Sequence, residues 1–222
     1  RKQGPDLMSA LDRVTNRIFT ADQLRDETVR ESLTDLGAEI GLSVLFGYIL
    51  PGSFIRCFPR GIVNLHLAYL PYNRGAYPNV WSIVEDHPAG VTLHYLDEGI
   101  DTGDVIARRE VEVQPVDTGK TLYRKLEGAG LSLFRQTWPS IESGDVSATP
   151  QPSDRGTYHE KDDVKSIDEI DLDKEYRAGD LIDRIRALTF RPHPGAYFRI
   201  NGEKVYVRME LEAEDDGPGT DA

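Results

Sequence analysis

The sequence predicts an α/β protein with a mostly parallel sheet and a small helix-plus-hairpin appendage near its C-terminal end. Three observations carry that prediction. Short aliphatic runs of strand length alternate with stretches whose apolar residues recur at helical spacing. A segment rich in Pro, Ser and Asp at 147–156 interrupts the pattern as a linker would. Beyond it, Asn201-Gly202 stands between two alternating runs, a hairpin signal because both turn positions favour φ > 0. At 222 residues the chain can bury a sizeable core and suits one principal domain with an appendage.

The elements follow in order. Residues 5–14 read as a short helix and 16–20 as a short strand. Thr20 and Gln23 form a capping box that opens a helix running to about Leu36. Residues 40–46 form an apolar run without alternation, the signature of a buried parallel strand. Residues 61–67 and 91–96 are two more such runs, with a helix expected over 79–85 between them. Residues 104–113 read as a further strand. Leu122, Leu126, Ala129 and Leu133 recur at helical spacing over 118–143. After the linker, Leu181, Ile182, Ile185 and Leu188 share one face of a helix over 178–189, and the hairpin strands cover 196–200 and 203–211. The acidic stretch 212–222 is expected to be disordered. The expected division is therefore 1–146 as the core, 147–211 as a subdomain and 212–222 as a tail.

Charge narrows the functions. The chain carries 38 acidic against 26 basic residues, a net charge of −12, and no segregated basic patch. Such a surface repels phosphate backbones, so nucleic acid is not an expected partner. Only seven of the basic residues are Lys, and Asp outnumbers Glu. That bias fits salt adaptation and equally fits ordinary solubilising charge. No apolar run approaches the ~20 residues of a membrane span, and no secretory signal follows Arg1-Lys2-Gln3-Gly4-Pro5. The single Cys57 excludes an intramolecular disulfide framework. The cytoplasm is the expected compartment.

Asn64-Leu65-His66 and Asp101 are the candidate chemistry. On a strand, Asn64 and His66 share a face. An amide can hydrogen-bond a carbonyl becoming an oxyanion, an imidazole trades protons near neutral pH, and a carboxylate orients that imidazole and collects a proton. Each has an ordinary reading too: a strand His is commonly a packed residue, and an Asp in a Gly-rich turn serves the turn. A metal held by His66, His94 and Asp101 is the other use of these groups. No tight ligand cluster such as H-E-x-x-H supports it, and no metal is expected.

Three segments in order, N-x-H at 64–66, L-P-Y-N-R-G at 70–75 and D-E-G-I-D-T-G-D at 97–104, resemble the formyltransferases that use 10-formyltetrahydrofolate. That family includes methionyl-tRNA formyltransferase, glycinamide ribonucleotide formyltransferase and the sugar N-formyltransferases. The resemblance runs from about Thr20 to about Leu211. It implies a Rossmann-like sheet of the formyltransferase type, and relative to that pattern the chain reads as N-terminally shortened. It implies that Asn64, His66 and Asp101 are catalytic, with Thr92 steadying a water beside Asp101; the ordinary reading of Thr92 is a β-branched strand residue. It places folate against Phe46, Gly47, Tyr48, Ile49 and Leu50 and against Asp97, Gly99 and Gly103. Apolar side chains there would wall a flat pterin, and glycines would let backbone approach it. The ordinary reading of 46–50 is a strand end packed in the core.

The L-P-Y-N-R-G-A-Y-P-N-V-W text looks most like the sugar N-formyltransferases, which makes a nucleotide-linked amino sugar the implied acceptor. Tyr72, Asn73, Arg74 and Trp81 would line its site. The two aromatics would stack on base or sugar, and Arg74 either meets an anion or sits in a loop ion pair. Methionyl-tRNA formyltransferase is the first alternative, and a shortened, non-catalytic binding module the second. A homodimer is left open.

Overall fold

The computed structural model describes residues 23–152 and 154–214. The helix and strand expected over 5–20, Thr20 of the capping box, and most of the acidic tail lie outside them. The chain divides into two compact units, one of residues 1–41 and 46–62, the other of 42–45 and 63–222.

In the first unit a single turn of 3-10 helix (Gln23–Arg25) precedes helix α1 (Glu27–Asp35). Gln23 therefore lies in the short turn. Asp26 caps α1 instead, its Oδ1 accepting from the Thr28 amide at 2.9 Å and from the Thr28 hydroxyl. A four-residue helix α2 (Gly52–Ile55) buries Phe54, whose ring meets Phe58 edge-on at 5.7 Å.

The central sheet has the order β1-β2-β4-β5, with β1 (Gly41–Val44), β2 (Ile62–His66), β4 (Gly90–Tyr95) and β5 (Val105–Glu110). The α/β class stands. The strand direction is a correction: β2 runs antiparallel to β4, and β4 antiparallel to β5. A continuous apolar run encodes burial on both faces, and β4 has it, with Val91 to His94 all buried. Burial on both faces does not fix direction. β1 departs too. Its residues alternate, with Leu42 and Val44 exposed, so it is a half-buried strand.

Helix α3 (Pro78–Val84) connects β2 to β4. Helix α4 (Gly119–Ser143) packs on β4 and β5 through Leu122, Leu126 and Leu133. Thr118 caps it in a reciprocal box with Thr121. Gly130 lets this helix close on β2, because a Cβ there would meet Leu65 Cδ2 at 3.3 Å. The start of α4 is held by the buried Asp117 carboxylate, which accepts from the Gln114 amide at 2.7 Å, the Thr121 hydroxyl at 2.9 Å and Lys125 Nζ at 2.6 Å.

The 147–156 stretch, expected as a linker, is bonded to the loops beneath it. Thr149 bridges Val105, and further on a parallel pair joins β3 (Arg74–Gly75) to β6 (Tyr158–His159). A short helix α5 (Lys165–Asp168) follows. Helix α6 (Ala178–Ala187) buries Ile185 and, just past its end, Leu188, while Ile182 is exposed. The hairpin forms as β7 (Tyr197–Ile200) and β8 (Glu203–Tyr206), with Asn201 at φ 52° and Gly202 at φ 83°.

Asp117 gives a stability test. Asp117→Ala leaves a backbone amide and an ammonium without their acceptor and should lower unfolding free energy by about 2–3 kcal/mol. Chemical denaturation would measure it, and an unchanged midpoint would mean that the carboxylate does not hold the helix start.

Candidate active site

β2 places Asn64 and His66 on one face, directly opposite His94 and Thr92 of β4. Asp101 sits in the turn after β4 in the left-handed region, φ 54°, a conformation Asp tolerates better than most residues. Its carboxylate is 12% exposed and surrounded by donors. The Gly75 amide donates to Oδ2 at 2.8 Å, and Asn64 Nδ2 donates to Oδ1 at 3.4 Å. His66 Nε2 lies 3.6 Å from Oδ2 and His94 Nε2 3.5 Å from Oδ1. Asn64, His66 and Asp101 therefore stand together, 37 residues apart in sequence at their widest.

The hydrogen positions follow from the partners. The Tyr95 carbonyl, 2.8 Å from His94 Nδ1, can only accept, so Nδ1 carries the hydrogen. In that tautomer His94 Nε2 accepts from Asn64 Nδ2 at 3.1 Å, which fixes the Asn64 amide with its nitrogen inward. The Asn73 carbonyl, 3.1 Å from His66 Nε2, likewise sets a hydrogen on that nitrogen. Burial pushes the His66 pKa below its ordinary value of 6.5 despite Asp101 and the Asn73 carbonyl pulling the other way, with His94 adding to the fall. For Asp101, burial pushes up. The nearby His66 and His94 rings and the hydrogen bond from the Gly75 amide outweigh it and hold the carboxyl down at about 2. The His66 charge acts at the low pH where that ring is protonated. At neutral pH the cluster is an anion beside a neutral His66 ring.

Gly75 is required. Its φ is 86°, and a Cβ there would collide with the His159 carbonyl. His94 is the member of the cluster that sequence reasoning names only as a ligand of the alternative metal site. Its signal is present all the same: it lies two residues from Thr92 on a strand, facing the Asn64 side.

Several expected residues sit elsewhere. Thr92 is fully buried. Its hydroxyl donates to the Ala68 carbonyl at 2.7 Å and accepts from the Leu70 amide at 3.1 Å, so it ties the chain after β2. Asn73 is 1% exposed, with Nδ2 donating to Ser82 Oγ and Oδ1 accepting from Thr157. Its side chain builds the loop, and only its carbonyl touches the cluster. Trp81 is 4% exposed and its ring is covered by His159, stacked at 3.9 Å, so it offers no open face to a nucleotide. Tyr72 is half-buried beside His87, with centroids 5.4 Å apart.

Arg74 answers its open alternative. Its partner is an amide, Gln151 Oε1, at 3.1 Å from Nε and 2.7 Å from Nη2, and among the described residues no carboxylate pairs with it. In the turn, Asp97 accepts from the Gly99 amide at 3.0 Å and the Thr102 hydroxyl at 2.7 Å. A Cβ on Gly99 would strike Thr102, and one on Gly103 the Tyr95 carbonyl, so both glycines serve closure of their own loop. In the other unit Phe46, Tyr48 and Ile49 are exposed, the two rings 5.5 Å apart and tilted, with Gly47 between them and Leu50 half-buried. They are not a strand end in a core. Among the described residues no group of three or more His, Cys, Asp or Glu could hold a metal, and no helix is long and apolar enough to cross a membrane.

The depressed pKa values make stability depend on pH with one sign. The Asp101 contribution is complete above the ordinary carboxyl value of 3.8 and is lost as pH falls toward about 2. It amounts to about 2 kcal/mol. The His66 contribution is complete above 6.5 and is lost as pH falls below that. In urea denaturation, the advantage of wild type over His66→Gln should shrink on acidification from neutral, and that over Asp101→Asn only below about pH 4. A difference that stays flat with pH would contradict the burial of His66 in the one case and the hold of its neighbours on Asp101 in the other.

Comparison with known proteins gives the ancestry. Residues 3–137 match the formyl transferase family model, and residues 163–213 match the N-formyltransferase dimerization C-terminal domain. A methionyl-tRNA formyltransferase from Agathobacter rectalis is 36% identical over 202 residues, covering 90% of this chain and 64% of that protein. A 4-N formyltransferase from Francisella tularensis superposes with a TM-score of 0.76 at 33% identity, over 83% of this chain and 76% of that one. The formyltransferase PseJ from Anoxybacillus kamchatkensis, solved with UDP-4,6-dideoxy-4-formamido-L-AltNAc and tetrahydrofolate, is 41% identical at a TM-score of 0.56, over 58% of this chain and 67% of that one. The chain spans between 54% and 64% of the curated methionyl-tRNA formyltransferases it matches. With most of its length taken up by the two family models, the chain belongs to the formyltransferase family.

Proposed function

We propose that the protein transfers the formyl group of 10-formyltetrahydrofolate to the primary amine of a nucleotide-linked amino sugar. The observation that carries this reading is the gathering of an amide, a neutral imidazole and an ionised carboxylate at one strand end. Formyl transfer makes one C–N bond and breaks another. The carbonyl oxygen gains negative charge, the incoming amine sheds a proton and the departing nitrogen gains one. Bound folate would supply the formyl carbon on a nitrogen able to leave.

The chain's own groups fit each demand. Asn64 Nδ2 donates to the oxygen as charge builds; its 3.4 Å contact to Asp101 is the weaker of its two bonds and the one that yields. His66, uncharged with its hydrogen on Nε2, is the second donor and the proton carrier. Asp101, an anion at neutral pH, takes the amine proton. The exposed apolar side chains of Phe46, Tyr48 and Ile49 suit a flat pterin. Arg74, with a neutral partner, keeps its charge for an anionic group such as a diphosphate.

A second reading, methionyl-tRNA as acceptor, is favoured by the relative that covers 90% of this chain. The net charge of −12 weighs against it, because phosphate neutralisation supplies most non-specific nucleic-acid affinity. Assays with 10-formyltetrahydrofolate should show formylation across a panel of amino-sugar nucleotides and none of initiator methionyl-tRNA. Turnover of the tRNA alone would reverse the assignment, and inactivity toward every amine would leave the non-catalytic module.

Asn64→Ala, His66→Ala and Asp101→Asn should each slow transfer by about a hundredfold or more. Affinity for a folate analogue should change little in the first two, since their contacts form with the reacting carbonyl. Near-normal turnover by His66→Ala would reject the mechanism.

A further inference from the structure

We propose that Gln151 is a positioning residue that holds Asp101 in its working conformation. This rests on Asp101 acting in formyl transfer as set out above. Gln151 lies in the 138–162 stretch that neither family model matches, 50 residues from Asp101. Its Nε2 donates to the Asp101 carbonyl and to the Gly103 carbonyl, both at 2.8 Å, and its Oε1 accepts both bonds from Arg74. The amide has one orientation only. The guanidinium can only donate and the two carbonyls can only accept, so a flipped amide would oppose all four bonds.

What Gln151 holds needs holding. Asp101 sits at φ 54°, and its carboxylate is fixed at the far end by the Gly75 amide. Gln151 fixes the main chain on either side of Thr102, so carboxylate and backbone are pinned from opposite sides. Arg74 and Gly75 are adjacent, which makes the clamp a closed ring: Gln151 to Arg74, Gly75 to Asp101, Asp101 back to Gln151. Gln151 touches no reacting atom. Its effect passes through the aim of one carboxylate, where a displacement of about 1 Å can cost a hundredfold in rate.

Gln151→Glu is the discriminating variant. It keeps the size and strengthens the tie to Arg74, but turns an oxygen toward both carbonyls and removes both donated bonds. In the intact protein, kcat should fall about tenfold or more while KM for the formyl donor changes less than about twofold; KM for the amino-sugar nucleotide rises in this variant as well, because a carboxylate partner takes up the Arg74 charge. The loss should shrink as pH falls, because a protonated Glu regains one donor. Gln151→Met, which removes all four bonds without adding charge, should show the same loss at every pH. In the Asp101→Asn background neither change should cost anything further, since both act on one group. Thermal unfolding identifies the folded variants, and a single folded variant is enough to decide the test. Wild-type kcat in a folded Gln151 variant, or a loss that simply adds to that of Asp101→Asn, overturns the proposal while leaving the catalytic reading intact. Near-normal turnover by Asp101→Asn itself would instead reject that reading, and this proposal with it.

Discussion

A carboxylate taken almost wholly out of water must find its donors within the protein, and Asp101 draws them from stretches scattered along the chain. β2 supplies Asn64 and His66 and β3 the Gly75 amide, while His94 of β4 aims the Asn64 amide and Gln151 comes from far downstream to hold the backbone. Each supplier is constrained in turn. Gly75 must be glycine because the pairing of β3 with β6 leaves no room for a side chain. Asn64 must turn its nitrogen inward because the Tyr95 carbonyl has already chosen the His94 tautomer. A large part of this unit is arranged around one negative charge.

The same arrangement gives the cluster its electrostatic character. Burial depresses His66, and neighbouring donors depress Asp101, so at neutral pH a neutral ring faces a full anion. A neutral imidazole can donate a hydrogen bond from one nitrogen and take a proton on the other, whereas an imidazolium has no nitrogen left to take one. The loops that carry these groups are held by buried side chains with no chemistry of their own. Asn73, Thr157 and Ser82 knit one turn, and Thr92 ties the segment after β2. Residues of active-site type thus divide into those aimed at the cluster and those that fix the loops bearing it.

The span of α4, the β7–β8 hairpin, the sharing of a face by Asn64 and His66, and the position of Asp101 after β4 are all legible in the sequence, because each depends on local periodicity or turn chemistry. Strand direction is not, since a run buried on both faces reads alike in either direction. Trp81 and Asn73 look like ligand groups in the sequence because an aromatic and an amide in a Pro-rich loop carry no mark of which way they face. Both are buried, one beneath His159 and the other bonded to Ser82 and Thr157.

By itself, then, the sequence determined which chemical groups are present, which share a strand face and what family they come from. The tertiary structure decided which of them meet. His94 enters the cluster only because β4 pairs with β2 in the register that sets it opposite Asn64. Gln151 reaches Asp101 only because the chain beyond α4 returns across the site loops through Thr149 and β6. Neither contact has a local signature. Both arise from pairing between segments about 30 and 50 residues apart, where the cost of closing the loop is met by the whole sheet rather than by the residues that touch.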